Sequence, residues 1–164
     1  MSTKDISTLY KTTLMSVKWD KRFLGLAREI STWSKDPSKQ IGAVFVSDER
    51  RILATGYNGF PRNIEDTLDR YENREEKYKL VVHAEQNAIY NATYNGISLN
   101  NSTLYVWGLP VCSECAKGVI QVGTKRIVMP SMIDVPERWI ESFDNTKELF
   151  KEALVDYEFV DISV

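Results

Sequence analysis

The chain has 164 residues, 43% hydrophobic and 27% charged, near the globular average and long enough to bury a core without staples. Its 21 Lys and Arg fall just short of its 23 Asp and Glu, a net charge of −2 that argues against coating nucleic acid but allows a basic pocket for one phosphate. No apolar run approaches the ~20 residues that span a bilayer. No N-terminal stretch has the order of a secretory signal, so the expectation is one folded domain, residues 1–164, in the cytoplasm.

In chain order, residues 1–16 are polar and rich in Thr and Ser, and predict a loosely held segment. Over 18–33, Trp19, Phe23, Leu26, Ile30 and Trp33 recur in steps of three and four. That is an amphipathic helix with Trp33 in the core, stopped by Asp36-Pro37. Ile41 to Val46 and Ile52 to Tyr57 read as a β-hairpin turned at Ser47–Arg50 and closed by Asn58-Gly59 and Pro61. Residues 62–79 are dense in charge and predict a solvated loop with a short helix. A helix over 84–95 ends at Gly96, Leu104 to Trp107 is a buried strand, and Ser113 to Val122 is a helix closed by Gly123. Arg126 to Met129 is a strand, followed by a helix near 137–154 and a last strand, Tyr157 to Ile162. A hairpin followed by alternating helices and strands predicts an α/β fold, a mixed sheet with helices on both faces.

His83, the only histidine, stands in Val82-His83-Ala84-Glu85 at one predicted helix start. Both cysteines, Cys112 and Cys115, stand at the next, one strand later. Two cysteines in a reducing compartment, spaced Cys-x-x-Cys, read as metal or redox chemistry rather than a structural disulfide. A helix N-terminus favours negative charge and so thiolates. One imidazole and two thiolates leave zinc near neutral and supply three ligands with no fourth His or Cys, the count of a catalytic site with a position for water. Zinc lowers the pKa of the water it binds. Glu85, two residues from His83, is the candidate general base. His-x-Glu followed by Pro-Cys-x-x-Cys is the signature of zinc nucleobase deaminases, and the chain has all of it but the Pro next to the first Cys.

On these residues the sequence resembles the deoxycytidylate deaminase family of the cytidine deaminase superfamily, from about Trp19 to Met129. Four stretches carry the likeness: Ser34-Lys35-Asp36-Pro37-Ser38-Lys39-Gln40-Ile41-Gly42-Ala43, Gly56-Tyr57-Asn58-Gly59-Phe60-Pro61, His83-Ala84-Glu85-Gln86-Asn87-Ala88-Ile89 and Cys112-Ser113-Glu114-Cys115-Ala116-Lys117. One departure stands out. The family has Pro directly before the first Cys, whereas here Val111 fills that place and Pro110 lies one residue earlier. Nor is there a spare His or Cys for the extra zinc site of some members.

The resemblance implies a cytidine deaminase-like α/β/α sandwich with a five-stranded mixed sheet. It implies hydrolysis of dCMP to dUMP and ammonia, feeding thymidylate synthesis, with one catalytic Zn²⁺ per chain held by His83, Cys112 and Cys115. Glu85 would carry protons from water to the ring and then to the leaving amine. Asn58 would bond the sugar 3′-hydroxyl, Ser34 and Lys35 would lie near the 5′-phosphate, and Ala84 would touch substrate. It further implies a homohexamer, activated by dCTP and inhibited by dTTP, each with Mg²⁺. Other readings stay open. Free cytidine, a nucleoside triphosphate or adenosine in tRNA are neighbouring substrates, although the acidic balance weighs against tRNA. A zinc-stabilised non-catalytic binder would leave Glu85 without a task, and a thiol oxidoreductase would leave His83 and Glu85 without one.

Overall fold

Period-2 alternation along three strands sets the architecture. In the computed structural model, which describes residues 3–131 and 134–163, with side chains from Ser16 onward, five strands form one sheet in the order β2-β1-β3-β4-β5. They are β1 (Gly42–Val46), β2 (Ile52–Tyr57), β3 (Thr103–Trp107), β4 (Arg126–Pro130) and β5 (Asp156–Val160). β1 pairs antiparallel with both β2 and β3, whereas β3–β4 and β4–β5 are parallel. Four strands therefore run one way and β1 alone runs against them.

Ala43, Phe45, Leu104, Val106, Ile127 and Met129 point to one face, and Val44, Val46, Tyr105 and Val128 to the other. Successive strand residues face opposite sides, so these β-branched and large apolar runs supply two cores at once. The first core is covered by α4 (Ala84–Tyr94), α5 (Ser113–Gln121) and α6 (Ile140–Glu152), the second by α1 (Thr3–Ser31). This is the expected α/β/α sandwich with a mixed five-stranded sheet. No helix among the described residues is long and apolar enough to cross a membrane.

α1 starts at Thr3, well before the expected position 18, since no Gly or Pro interrupts the stretch. Met1, Ser2 and the side chains of 3–15 lie outside the described residues. The buried stripe of α1 is Phe23, Leu24, Ala27 and Ile30. Asp20, also buried, takes two bonds from the Arg126 guanidinium, at 2.9 and 2.8 Å, and one from the Tyr105 hydroxyl at 2.7 Å. Trp33 corrects the sequence reading: it lies past the helix end, 56% exposed and edge-on to Tyr57, so it is not core.

The charge-dense stretch folds as two short helices, α2 (Leu68–Glu72) and α3 (Arg74–Leu80). Two of its side chains turn inward: Tyr71 stacks on Phe60, and Lys77 reaches Asp36. The C-terminal helix is preceded by a 3-10 turn over Glu137–Trp139. The last strand is Asp156–Val160, one residue earlier at its start than the alternation suggested and two earlier at its end.

Candidate active site

Strand direction decides where the chemistry sits. α4, α5 and α6 follow β2, β3 and β4, which run parallel to one another, so all three helices begin near the same sheet edge. β1 runs the other way and brings its first residues, from Ile41, to that edge. His83 is the N-cap of α4 and Cys112 the N-cap of α5, both with extended backbone. Gly56 sets how closely α4 approaches the sheet. A Cβ there would stand 2.3 Å from the Ala88 nitrogen and 2.4 Å from the Ala84 oxygen, so α4 lies directly against β2 only because the position is Gly.

The sequence-expected ligands come together. His83 Nδ1 lies 3.3 Å from Cys112 Sγ and 3.4 Å from Cys115 Sγ, and all three donor atoms fall within 4.8 Å of one another. A nitrogen and a sulfur bound to one tetrahedral zinc stand about 3.5 Å apart. The donor set and its spacing therefore fit Zn²⁺, with Nδ1 as the imidazole ligand. The site makes thiolate readily. The hydrogen bond from the Cys115 thiol, with help from His83, brings Cys112 down to about 4. The Cys115 backbone N–H also points at Cys112 Sγ. Cys115 is pushed up by its bond to Cys112 and by burial, so the pair by itself shares a proton that a dication would replace.

Glu85 is 3% exposed, in the first turn of α4, and lines the same cavity as His83 and Cys112. Burial pushes its carboxyl up to about 7, where a group can both take and give a proton. Leu109, Pro110 and Val111 border the cavity, as do Ile41, Trp139 and Phe143. Val111, in place of the family's Pro, is fully buried, and its carbonyl accepts a 2.9 Å bond from Thr146 Oγ1 of α6.

The four expected substrate residues fare differently. Asn58 is buried. Its Nδ2 donates to the Lys39 carbonyl and Asp36 Oδ2 at 2.9 and 3.3 Å, and its Oδ1 accepts the Ile41 N–H at 2.8 Å. Ser34, also buried, donates to the Asn58 carbonyl and accepts from the Asp36 N–H. Lys35 is at the surface, paired with Asp66 at 3.0 Å. Ala84 is buried at the first position of α4, between His83 and Glu85. None of the four lines the cavity; the loop residues brace it through Ile41. Trp139, Phe143 and Lys77 escaped the sequence reading. A Trp and a Phe four apart at a helix start were visible as an apolar pair, but only the fold brings them to the metal ligands.

A three-donor zinc site, open on one side and with a buried carboxylate beside it, is the site of a hydrolytic zinc enzyme. Residues 17–131 match the family described as the cytidine and deoxycytidylate deaminase zinc-binding region, and the chain belongs to that family. An uncharacterized deaminase from the luxG 3′ region of Aliivibrio fischeri is 36% identical over 151 residues, covering 92% of this chain and 99% of its own. Mouse deoxycytidylate deaminase is 36% identical over 148 residues, covering 86% of this chain and 79% of its own. Among solved structures, the dCMP deaminase of cyanophage S-TIM5 in complex with dCMP and dUMP superposes with a TM-score of 0.68 at 25% identity. That match covers 85% of this chain and 95% of the phage chain.

Proposed function

We propose that residues 1–164 act as one zinc-dependent deaminase that hydrolyses dCMP to dUMP and ammonia. The observation that carries this is the convergence of His83, Cys112 and Cys115 within 4.8 Å, with buried Glu85 in the same cavity. The likeness to the mouse and phage deaminases supports dCMP as the substrate. Bound through those three side chains, zinc provides a water acidic enough to be deprotonated near neutral pH.

The rest falls to the protein. Glu85 accepts the proton of the attacking water and delivers it to N3 as oxygen bonds to C4. It then carries a second proton to the amino group, the C4–N4 bond breaks, and ammonia leaves. One water is consumed and no redox partner is needed. Leu109, Val111 and Trp139 wall the cavity, and burial raises the pKa of the Glu85 carboxyl, which favours its taking the proton.

Asn58 retains one lone pair on Oδ1 for the sugar 3′-hydroxyl, its two N–H groups being engaged. Lys35 is our candidate cation for the 5′-phosphate, with Ser34 fixing its loop. The Ala84 N–H, in the first turn of α4 where no intrahelical carbonyl reaches it, is a donor for the base. The family resemblance supports a cytoplasmic homohexamer that dCTP activates and dTTP inhibits, each with Mg²⁺. The groove bordered by Tyr57, Arg62, Asn87 and Tyr90 is our candidate surface for such an effector.

The test is product formation by the zinc-loaded protein given dCMP, CMP, deoxycytidine and dCTP separately, each with and without added dCTP. Preferential conversion of dCMP to dUMP is the expected result. Stoichiometric zinc with no turnover of any of them would refute the assignment.

A further inference from the structure

Among the described residues, two buried side-chain polar atoms lack a hydrogen-bond partner, Tyr157 Oη and Trp139 Nε1. Tyr157 is enclosed by Phe143, Phe150 and Phe159. Trp139 differs, because it lines the cavity that holds His83 and Glu85, and its ring stands edge-on to the His83 imidazole with centroids 6.2 Å apart.

Backbone and side-chain bonds hold the segment around Trp139 in place. Its backbone N–H closes the 3-10 turn on the Pro136 carbonyl at 2.8 Å. Just beyond it, Ser142 Oγ accepts the Ser113 N–H at 3.0 Å, and Thr146 Oγ1 donates to the Val111 carbonyl at 2.9 Å. The start of α6 is thus fastened on both sides of Cys112. A buried indole N–H is costly to leave without an acceptor, and native structures pair such groups with protein, ordered water or a ligand. Indole nitrogen is a donor only, so it suits an oxygen of the ligand and not its amino group.

We propose that Trp139 is a substrate-recognition residue whose indole N–H donates to an oxygen of the nucleotide bound in this cavity, either the ring carbonyl or the phosphate. This rests on the reading of the cavity as the dCMP site. It gives the turn that leads into the C-terminal helix, beyond the zinc-binding region, a direct part in recognition.

Trp139→Phe keeps an aromatic wall and removes only the donor. Steady-state kinetics would be measured on dCMP, its 2-thio analogue and deoxycytidine, after zinc content and melting temperature are checked. We expect kcat/KM on dCMP to fall about tenfold, mainly through KM, as for one lost hydrogen bond to a charged or polar acceptor. The penalty shrinks on deoxycytidine if phosphate is the acceptor, and on the 2-thio analogue if the carbonyl is. An equal penalty on all three, or none, would make Trp139 a mere wall and overturn the proposal. Absence of dCMP turnover by the wild-type chain would instead overturn the substrate reading, and this inference with it.

Should the variant lose zinc, the intact enzyme answers the same question. The ¹⁵N-labelled protein has four indole N–H signals, one per tryptophan. Cobalt in the zinc site would identify Trp139 by its paramagnetic shift. Saturating dUMP should then move that indole proton of the zinc enzyme downfield, and an unmoved signal would overturn the proposal.

Discussion

Gly56→Ala tests whether the contact between α4 and β2 sets the metal site. The new methyl would meet backbone of α4 at 2.3 and 2.4 Å, where ordinary contact begins at 3.4 Å. Neither atom is a side chain that can swing away, so α4 must retreat by about 1 Å or tilt. His83 and Glu85 ride on its first turn, whereas Cys112 and Cys115 ride on α5. The movement therefore pulls the imidazole from the thiolates and the carboxylate from the cavity. Overpacking of this kind costs about 1–3 kcal/mol, and a displacement of about 1 Å in a catalytic group costs roughly 100-fold in rate. We expect a lower urea midpoint, weaker zinc retention against a chelator, and kcat on dCMP down by about two orders of magnitude. Gly25→Ala is the control. It sits in α1 with nothing within 4 Å of its added methyl, and should stabilise the fold by about 0.5–1 kcal/mol with activity intact. A Gly56→Ala enzyme with wild-type zinc affinity and turnover would refute the reasoning.

Glu85→Gln should lower turnover by about 10²–10⁴-fold with one zinc per chain retained by elemental analysis; retained activity would remove Glu85 from the mechanism. Cys112→Ala should lose stoichiometric zinc, together with the stabilisation that bound metal confers, seen as a lower melting temperature that added zinc no longer raises. Lys77→Met strands the Asp36 carboxylate, only 4% exposed, and should destabilise by about 3 kcal/mol at neutral pH in urea titrations. Burial alone would raise the Asp36 pKa, but bonds from Lys77 and Ser38 win and hold it below the usual 3.8. A depressed carboxylate stabilises the fold above its unfolded pKa, and that contribution fades as pH falls through the folded value. The gap between wild type and Lys77→Met should therefore be full at pH 6 and shrink below pH 3.8. A gap that does not change with pH would show that Lys77 acts by packing alone.

The parts legible in the sequence were those set by local rules. The apolar runs read as strands at 41–46 and 104–107 fold as strands at 42–46 and 103–107, each within a residue of its expected bounds. The zinc donors were legible because Cys-x-x-Cys is a single helix turn and His-x-Glu fits another. Trp33 misled because helical spacing continues one step past the point where the chain leaves the helix, at Ser31. Asn58 and Ser34 read as substrate contacts, yet their polar atoms are largely engaged in holding the 34–41 loop, a network spanning 24 residues from Ser34 to Asn58 and 41 from Asp36 to Lys77. Such pairings have no periodicity to reveal them. Trp139 was hidden for a related reason: its partners, His83 and the Cys112 loop, reach it only through the packing of α6 on α5.

The topology explains why so few residues suffice. A purely antiparallel meander would send consecutive connections to alternate sheet edges, and the helices after β2 and β3 would start at opposite ends. Here β1 reverses once, between β2 and β3, and this leaves every strand that precedes a catalytic-face helix running the same way. The carboxyl edge then collects three helix N-termini, each carrying one part of the site: His83 with Glu85, Cys112 with Cys115, and Trp139 in the turn before α6. Backbone N–H groups at those ends favour thiolate and carboxylate charge, and open α/β sheets place ligands at that edge. The first strand contributes at its amino end, where Ile41 borders the cavity and its N–H holds Asn58. The one antiparallel strand thus brings the 34–41 loop to the metal site, which an all-parallel sheet with the same strand order would have carried to the far edge.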